Sequence, residues 1–296
     1  MTTTATETVT QATGRAPRAR AIRGTRPGFL VYGVLGAFLL ACLFPYYWSL
    51  LIGSGDSYTI RDPHMSWIPG GNLWENMQKV MTDPAVNFWQ ALWNSVWSSA
   101  VIAASVVFFS TLAGWAFAKL KFTGSNVLLV FVIATMAVPM QLGVVPLYIL
   151  FSDLGWTGQI GAIIVPALTS AFGVFWMTQY LRQSVPDELI EAARVDGATQ
   201  FRTFLTVGLP AARPAAAMLA LFTFVSSWNN FFWPFIVLDR SNPTLPVALS
   251  LLQSNYFVDY SVVLAGVLLS TIPLLILFVF AGKQLVSGIM AGAVKG

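Results

Sequence analysis

From residue 187 to 214 the chain reads DELIEAARVDGATQFRTFLTVGLPAARP, and it places Asp187, Glu188, Glu191, Arg194 and Asp196 within ten positions of each other. Pro186 suits the first turn of a helix, and Asp187 and Glu188 oppose the positive end of its dipole. Gly197 ends it. Ten residues at about 1.5 Å each reach only about 15 Å, too short to cross a bilayer, so this helix is expected along a membrane surface. Leu189, Ala192, Ala193 and Asp196 share one face at i, i+3, i+4 and i+7, and the two alanines let another backbone or side chain approach closely. That pattern suits being gripped rather than reacting. A second helical stretch, with Phe201 and Phe204 on one side, is expected to lead to Leu209-Pro210 and Pro214, where the chain enters the membrane.

Other reactive groups are scarce. His64 is the only histidine and lies beside Pro63 in a polar stretch, which places it as a solvated loop residue rather than a base or ligand. The serines of the apolar segments have no histidine or lysine near them inside the bilayer and are read as interhelical hydrogen-bonding groups. The only Gly-Lys, Gly282-Lys283, has Leu277 where a phosphate-binding loop needs its first glycine and Gln284 where it needs Ser or Thr. No nucleotide site, cofactor or metal is expected, and the chain is not read as an enzyme.

The elements that position these residues are membrane spans. Of 296 residues, 56% are hydrophobic and 9% charged, against roughly 25% charged in a soluble domain. Six segments long enough to span fall near 29–53, 93–118, 126–152, 159–181, 214–238 and 261–285, the third and fourth interrupted by Pro139, Gly143, Pro146 and Pro166. The predicted fold class is all-α, a polytopic membrane protein with six transmembrane helices and a short cytoplasmic helix along the membrane surface. With the N-terminus inside, thirteen Lys and Arg residues fall on the inner side and only Arg61, Lys79 and Arg240 on the outer. Five of the thirteen precede the first span, where they orient it most strongly. A multi-pass protein of the bacterial cell membrane with both termini cytoplasmic follows, and the basic residues are spread by topology rather than gathered for nucleic acid.

Along the chain, residues 1–28 have almost no large apolar side chains and are expected to be a disordered cytoplasmic tail. Residues 29–90 comprise the first span and an external segment. In it, NLWENMQKVMTDPAVNFWQALWNSV reads as two amphipathic helices broken at Asp83-Pro84, with Trp67, Trp74 and Trp89 placed as interfacial anchors. Residues 91–285 form the membrane core, with the polar loop at 184–213, and 286–296 form a cytoplasmic tail. Cys42 is the only cysteine, so no intrachain disulfide is possible. Leu39-Leu40-Ala41-Cys42 is not read as a lipoprotein processing site, because the apolar run continues through Ile52.

Glu191-Ala192-Ala193, three residues, Gly197, nine residues, Val207, one residue and Leu209-Pro210 match the EAA motif, with Val207 where isoleucine is commoner. The chain therefore resembles the permease subunits of ABC importers. More narrowly it is similar to the carbohydrate permeases related to the shorter, six-span permease of the maltose importer, through VPMQLGVVPLYILFSDLGW, SSWNNFFWPFIVL, TLPVAL and GIMAGAVKG. The resemblance implies a second non-identical permease, two cytoplasmic ATPase subunits, an external solute-binding (lipo)protein and a sugar substrate in a lipid membrane. It implies that Glu191, Ala192, Ala193, Asp196 and Gly197 form the coupling helix and turn seated in an ATPase cleft, that Leu209 and Pro210 anchor the loop to the fifth span, and that the C-terminal tail reaches the ATPase interface.

A neutral, hydroxyl-rich substrate needs uncharged hydrogen-bonding groups and flat apolar faces. Trp228, Asn229, Asn230 and Trp233 are candidates for lining its pathway, with Gln141, Thr178 and Gln179 as lesser ones. The rival reading is an autonomous ion-coupled transporter, which ordinarily places ionisable residues inside its spans. The six segments as drawn hold none in their interiors.

Overall fold

The computed structural model describes residues 28–58, 66–253 and 258–293, and every regular element among them is helical. His64, Arg61 and the tails 1–27 and 294–296 lie outside the described residues. The chain divides into two units at Pro45 and Tyr46. In the first, the described residues begin α1 (Phe29–Gly53), apolar on every side and, up to Pro45, exposed at every position but Gly36, with Cys42 exposed among them.

The second unit is built on α3 (Phe88–Lys119), 32 residues long and preceded by α2 (Leu73–Thr82). Between them the chain breaks at Asp83-Pro84, where the Asp83 carboxylate accepts the Ala85 N–H at 2.8 Å and closes a turn. Two helices pack along α3: α7 (Ala171–Ser184) and α10 (Leu209–Trp228). Contact with α7 is close because small residues line it. A methyl added at Gly114 would stand 2.7 Å from Met177 Cβ and 2.9 Å from the Thr178 backbone nitrogen, and one added at Gly173 would meet the Ser110 hydroxyl. Ser110 and Gly114, four residues apart, form the small-residue stripe that brings membrane helices together. Contact with α10 includes a hydrogen bond between the hydroxyls of Ser99 and Ser227 at 3.2 Å.

Between α3 and α7, α4 (Ser125–Thr135) is followed by a break containing Pro139, a 3₁₀ turn at Met140–Gly143, and α5 (Val144–Asp153). The two halves of this segment meet at 85°. α6 (Gly161–Ile164) runs through a 3₁₀ turn at Val165–Ala167 toward α7. At the other end of the sequence, α11 (Phe232–Val237), α12 (Leu245–Leu251) and α13 (Tyr260–Ala293) complete the unit. Among the described residues five helices are long and apolar enough to cross a membrane, or six if the bent α4–α5 pair is one span. The all-α polytopic class is as the composition required.

One core cluster gathers Val80, Phe88, Trp228, Leu245 and Val263, and another Trp115, Met177, Leu181, Ile190 and Phe204. Away from α8 (Asp187–Val195), interspan loops are tied by side-chain amides. Asn94 donates to Asn242 Oδ1 at 2.8 Å and to the Pro243 carbonyl at 2.9 Å, and Asn242 donates to the Gly158 carbonyl at 3.1 Å. These amides satisfy backbone carbonyls of two connections, α5–α6 and α11–α12.

The fifth span departs from its expected bounds of 214–238. The apolar helix instead runs from Gln200 to Trp228, starting as α9 (Gln200–Thr203), passing through a π-helical turn at Phe204–Gly208 and continuing as α10. Pro210 looks like a breaker but stands directly after the π-turn, whose wider spacing accommodates a residue without an N–H inside the continuing helix. The helix ends at Trp228, so Asn229 and Asn230 lie in a break before α11 rather than inside a span.

Candidate functional site

The polar passage forms α8, followed by a sharp reversal into α9. Gly197 has φ +76°, and nothing lies within 4 Å of where its Cβ would be. Glycine is needed there for the left-handed backbone and not for space. The Ala198 N–H donates to the Ala193 carbonyl at 2.9 Å and the Gly197 N–H to the Arg194 carbonyl at 3.0 Å. This 6→1 and 5→2 pair is the Schellman closure of a helix C-terminus. Two residues on, the Thr199 hydroxyl accepts the Arg202 N–H at 3.3 Å and caps α9. The reversal is therefore fixed by backbone hydrogen bonds at the end of α8 and by a side-chain cap at the start of α9.

Three contacts hold this unit against the bundle. Ile190, the one buried residue of α8, enters the cluster of Leu181, Val185 and Trp115, a burial of about 1.5–3 kcal/mol. Asp187, at the start of α8, accepts from the Lys119 ammonium at 2.8 Å. The Lys119 side chain is only 5% exposed while that of Asp187 is 75% exposed, so the cation reaches out from beneath to meet the carboxylate. The hydrogen bond from Lys119, its charge and that of Lys121 hold the Asp187 carboxyl below the usual range. The third contact is Gly208, which closes the π-turn: a methyl there would stand 2.6 Å from the Trp115 indole. The Trp115 ring fills that position with its centroid 6.0 Å from that of Phe204.

The face of α8 turned away from these contacts is open. Leu189, Glu191, Ala192, Arg194, Val195, Asp196 and Gly197 are exposed and Ala193 is half-buried. Glu191, Ala192, Ala193, Asp196 and Gly197 thus stand together on one projecting unit. Leu209 and Pro210, also exposed, begin α10 on the far side of the π-turn, with Val207 half-buried between.

The other candidates are dispersed. Trp228 is 3% exposed and packs in the core, and Thr178 is fully buried with its hydroxyl donating to the Val174 carbonyl at 2.7 Å. Trp233 is half-buried and donates from its indole to the Ala162 carbonyl at 3.0 Å, tying α11 to α6. Asn229, exposed, returns its amide to the Val225 carbonyl of its own helix at 2.9 Å, and Asn230 is exposed in the same break. Gln141 is exposed on the 3₁₀ turn of the bent span, and Gln179 is half-buried on α7. Lys119, Ile190, Thr199, Trp115 and Gly208 support the polar unit, yet sequence reasoning gave none of them that part. Only Thr199, of a type that favours a helix N-cap, carried a local signal.

The fold and this projecting unit define a polytopic helical membrane permease. Residues 107–287 match the family described as "Binding-protein-dependent transport system inner membrane component", and the chain belongs to it. It is 35% identical over 224 residues, 75% of this chain and 79% of the other, to the "Arabinooligosaccharides transport system permease protein AraQ" of Halalkalibacterium halodurans. It is 30% identical over 269 residues, 89% of this chain and 96% of the other, to the "Trehalose/maltose transport system permease protein MalG" of Thermococcus litoralis. Among solved structures, it shares a fold with a chain of a bacterial ABC transporter involved in the import of the acidic polysaccharide alginate. That match has a TM-score of 0.72 and 23% identity, covering 86% of this chain and 94% of that one.

Proposed function

We propose that this chain is the permease subunit of an ATP-driven sugar importer, working with a second, non-identical permease, two ATPase subunits on the cytoplasmic face and an external solute-binding protein. In this reading α8 is the coupling helix, with Glu191, Ala192, Ala193 and Asp196 on the surface an ATPase cleft grips and Gly197 fixing the turn behind it. The observation that carries the proposal is the geometry of that unit: a nine-residue helix, exposed except at buried Ile190 and half-buried Ala193, joined through a closed turn to a helix running to Trp228. ATPase closure would move α8 as a rigid body, and α9 and α10 would carry the displacement into the bundle.

The bias of Lys and Arg toward one side supports cytoplasmic termini and a cytoplasmic α8. Family membership and the names of the two relatives support a sugar cargo, because arabinooligosaccharides and trehalose or maltose are uncharged and rich in hydroxyls. Gln141, at a break in a membrane segment, and Asn229 and Asn230, beyond the end of α10, are the candidates best exposed to meet such a cargo. Irregular backbone at membrane depth is tolerated where it lines an aqueous path or is covered by protein. Trp233 and Gln179 stand behind them, while Trp228 and Thr178 contribute packing.

The test pairs Glu191→Lys with Gly197→Pro. Sugar uptake and ATPase docking are expected to be lost while the chain still inserts in the membrane. Normal uptake by that variant would refute the coupling role.

A further inference from the structure

At the α8 end of the bundle, a cleft of about 580 Å³ opens between the end of α3, the start of α4 and α7. Its polar wall carries Lys121 and Arg182 together with Ser125 and Asn126, the first residues of α4. Neither cation is ion-paired among the described residues. The nearby carboxylate, Asp187, is taken by Lys119, and Arg182 makes one long hydrogen bond, to the Phe117 carbonyl at 3.4 Å. The cleft therefore presents two cations and no anion of its own. Its apolar wall is formed by Phe117 and Phe122, whose ring centroids lie 6.0 Å apart. From this mouth the outer face of α4 continues as uninterrupted hydrocarbon surface, with Val127 76%, Val130 65% and Phe131 66% exposed.

Cations at the end of membrane spans, with a bare apolar helix face leading away from them, have the two-part chemistry of a phospholipid. We propose that this cleft binds an anionic phospholipid, its phosphate held by Lys121 and Arg182 and its acyl chains along α4. Basic pockets between transmembrane helices recognise anionic head groups in this way. A soluble phosphate would use the cations but not α4, whereas a second protein subunit would cover α4 without needing the charges. Bound there, the lipid bridges the α3–α4 connection to α7 directly beside the Lys119–Asp187 clasp, so it would steady the base on which α8 stands.

The experiment is native mass spectrometry of the full chain purified in the assembly it forms in its own membrane. Phosphatidylglycerol and phosphatidylcholine are titrated in turn, with inorganic phosphate as competitor. The expected result is preferential retention of phosphatidylglycerol, unaffected by phosphate. Lys121→Gln with Arg182→Gln should reduce retention about thirtyfold, in line with the loss of two interfacial cations at about 1 kcal/mol each. The charge-retaining pair Lys121→Arg with Arg182→Lys should preserve it, which keeps the test decisive if the neutralised pair fails to assemble. Equal retention of the two lipids, or displacement of phosphatidylglycerol by inorganic phosphate, would overturn the proposal. So would an α4 face occupied by a protein subunit that cross-links to Val127 in place of lipid.

Discussion

Two glycines near α8 do different jobs, and substitution separates them. At Gly197 a side chain has room but the backbone is left-handed. Gly197→Ala should therefore cost about 1 kcal/mol, from conformation alone, while Gly197→Asn should recover most of it. Hydrogen exchange at Ala198 reads the loss directly. At Gly208 the backbone is ordinary helix, but the Trp115 ring occupies the place of a side chain. Gly208→Ala should lower thermal stability in detergent by about 1–3 kcal/mol, the usual range for overpacking. Adding Trp115→Leu should return part of that loss, so the two substitutions should be non-additive. Gly197 is legible in the sequence because a turn residue acts locally. The role of Gly208 was not, because the ring it accommodates comes from a helix more than ninety residues earlier.

At the scale of elements, α8 is held by one buried apolar residue and one ion pair with unequal partners. Asp187→Asn would leave the nearly buried Lys119 ammonium without its counter-charge, whereas Lys119→Met would remove the charge and keep an apolar stem. Asp187→Asn should therefore loosen α8 more than Lys119→Met, measured as amide exchange along residues 187–195. The pH dependence has a definite sign. Because the Asp187 carboxyl is held below its usual range by Lys119, its contribution is complete above that range and is lost only as acid protonates the folded form. Exchange protection of α8 should be flat from about pH 8 to about pH 5 and fall only in stronger acid. The short helix itself could be read from Pro186, the acidic first turn and Gly197. Its continuation could not, because Leu209-Pro210 and Pro214 look like a boundary by composition. The π-turn lets the chain absorb Pro210 and run unbroken from Gln200 to Trp228.

For the molecule as a whole, exposed apolar surface on α1, α4 and α5 must meet lipid or protein, and the charged unit at α8 must meet something polar. The chain alone, in proteoliposomes with a proton gradient, is expected to accumulate no sugar, while the assembly with its ATPases should import sugar on ATP addition. Gradient-driven accumulation by the isolated chain would instead support an ion-coupled carrier. Lengthening the helix into the fifth span brings Arg202 and Arg213 into one continuous helix with it, Arg202 in its first turn and Arg213 about halfway along. Arg213 is exposed at that midpoint, so it is membership of the transport-system family, not an absence of charge in the helix, that weighs against an ion-coupled carrier.

Hydropathy, the count of Lys and Arg on either side and the EAA spacing were enough to determine the all-α polytopic class and the family, because these are sums over residues or local patterns that hold whatever the packing. Tertiary structure decided what each pathway candidate does. A tryptophan or threonine has the same letter whether it fills a core, as Trp228 and Thr178 do, or faces an opening. It also decided how α8 is held, since Lys119, Trp115 and Gly208 come from distant positions that only the packing of α3 against α7 and α10 brings together.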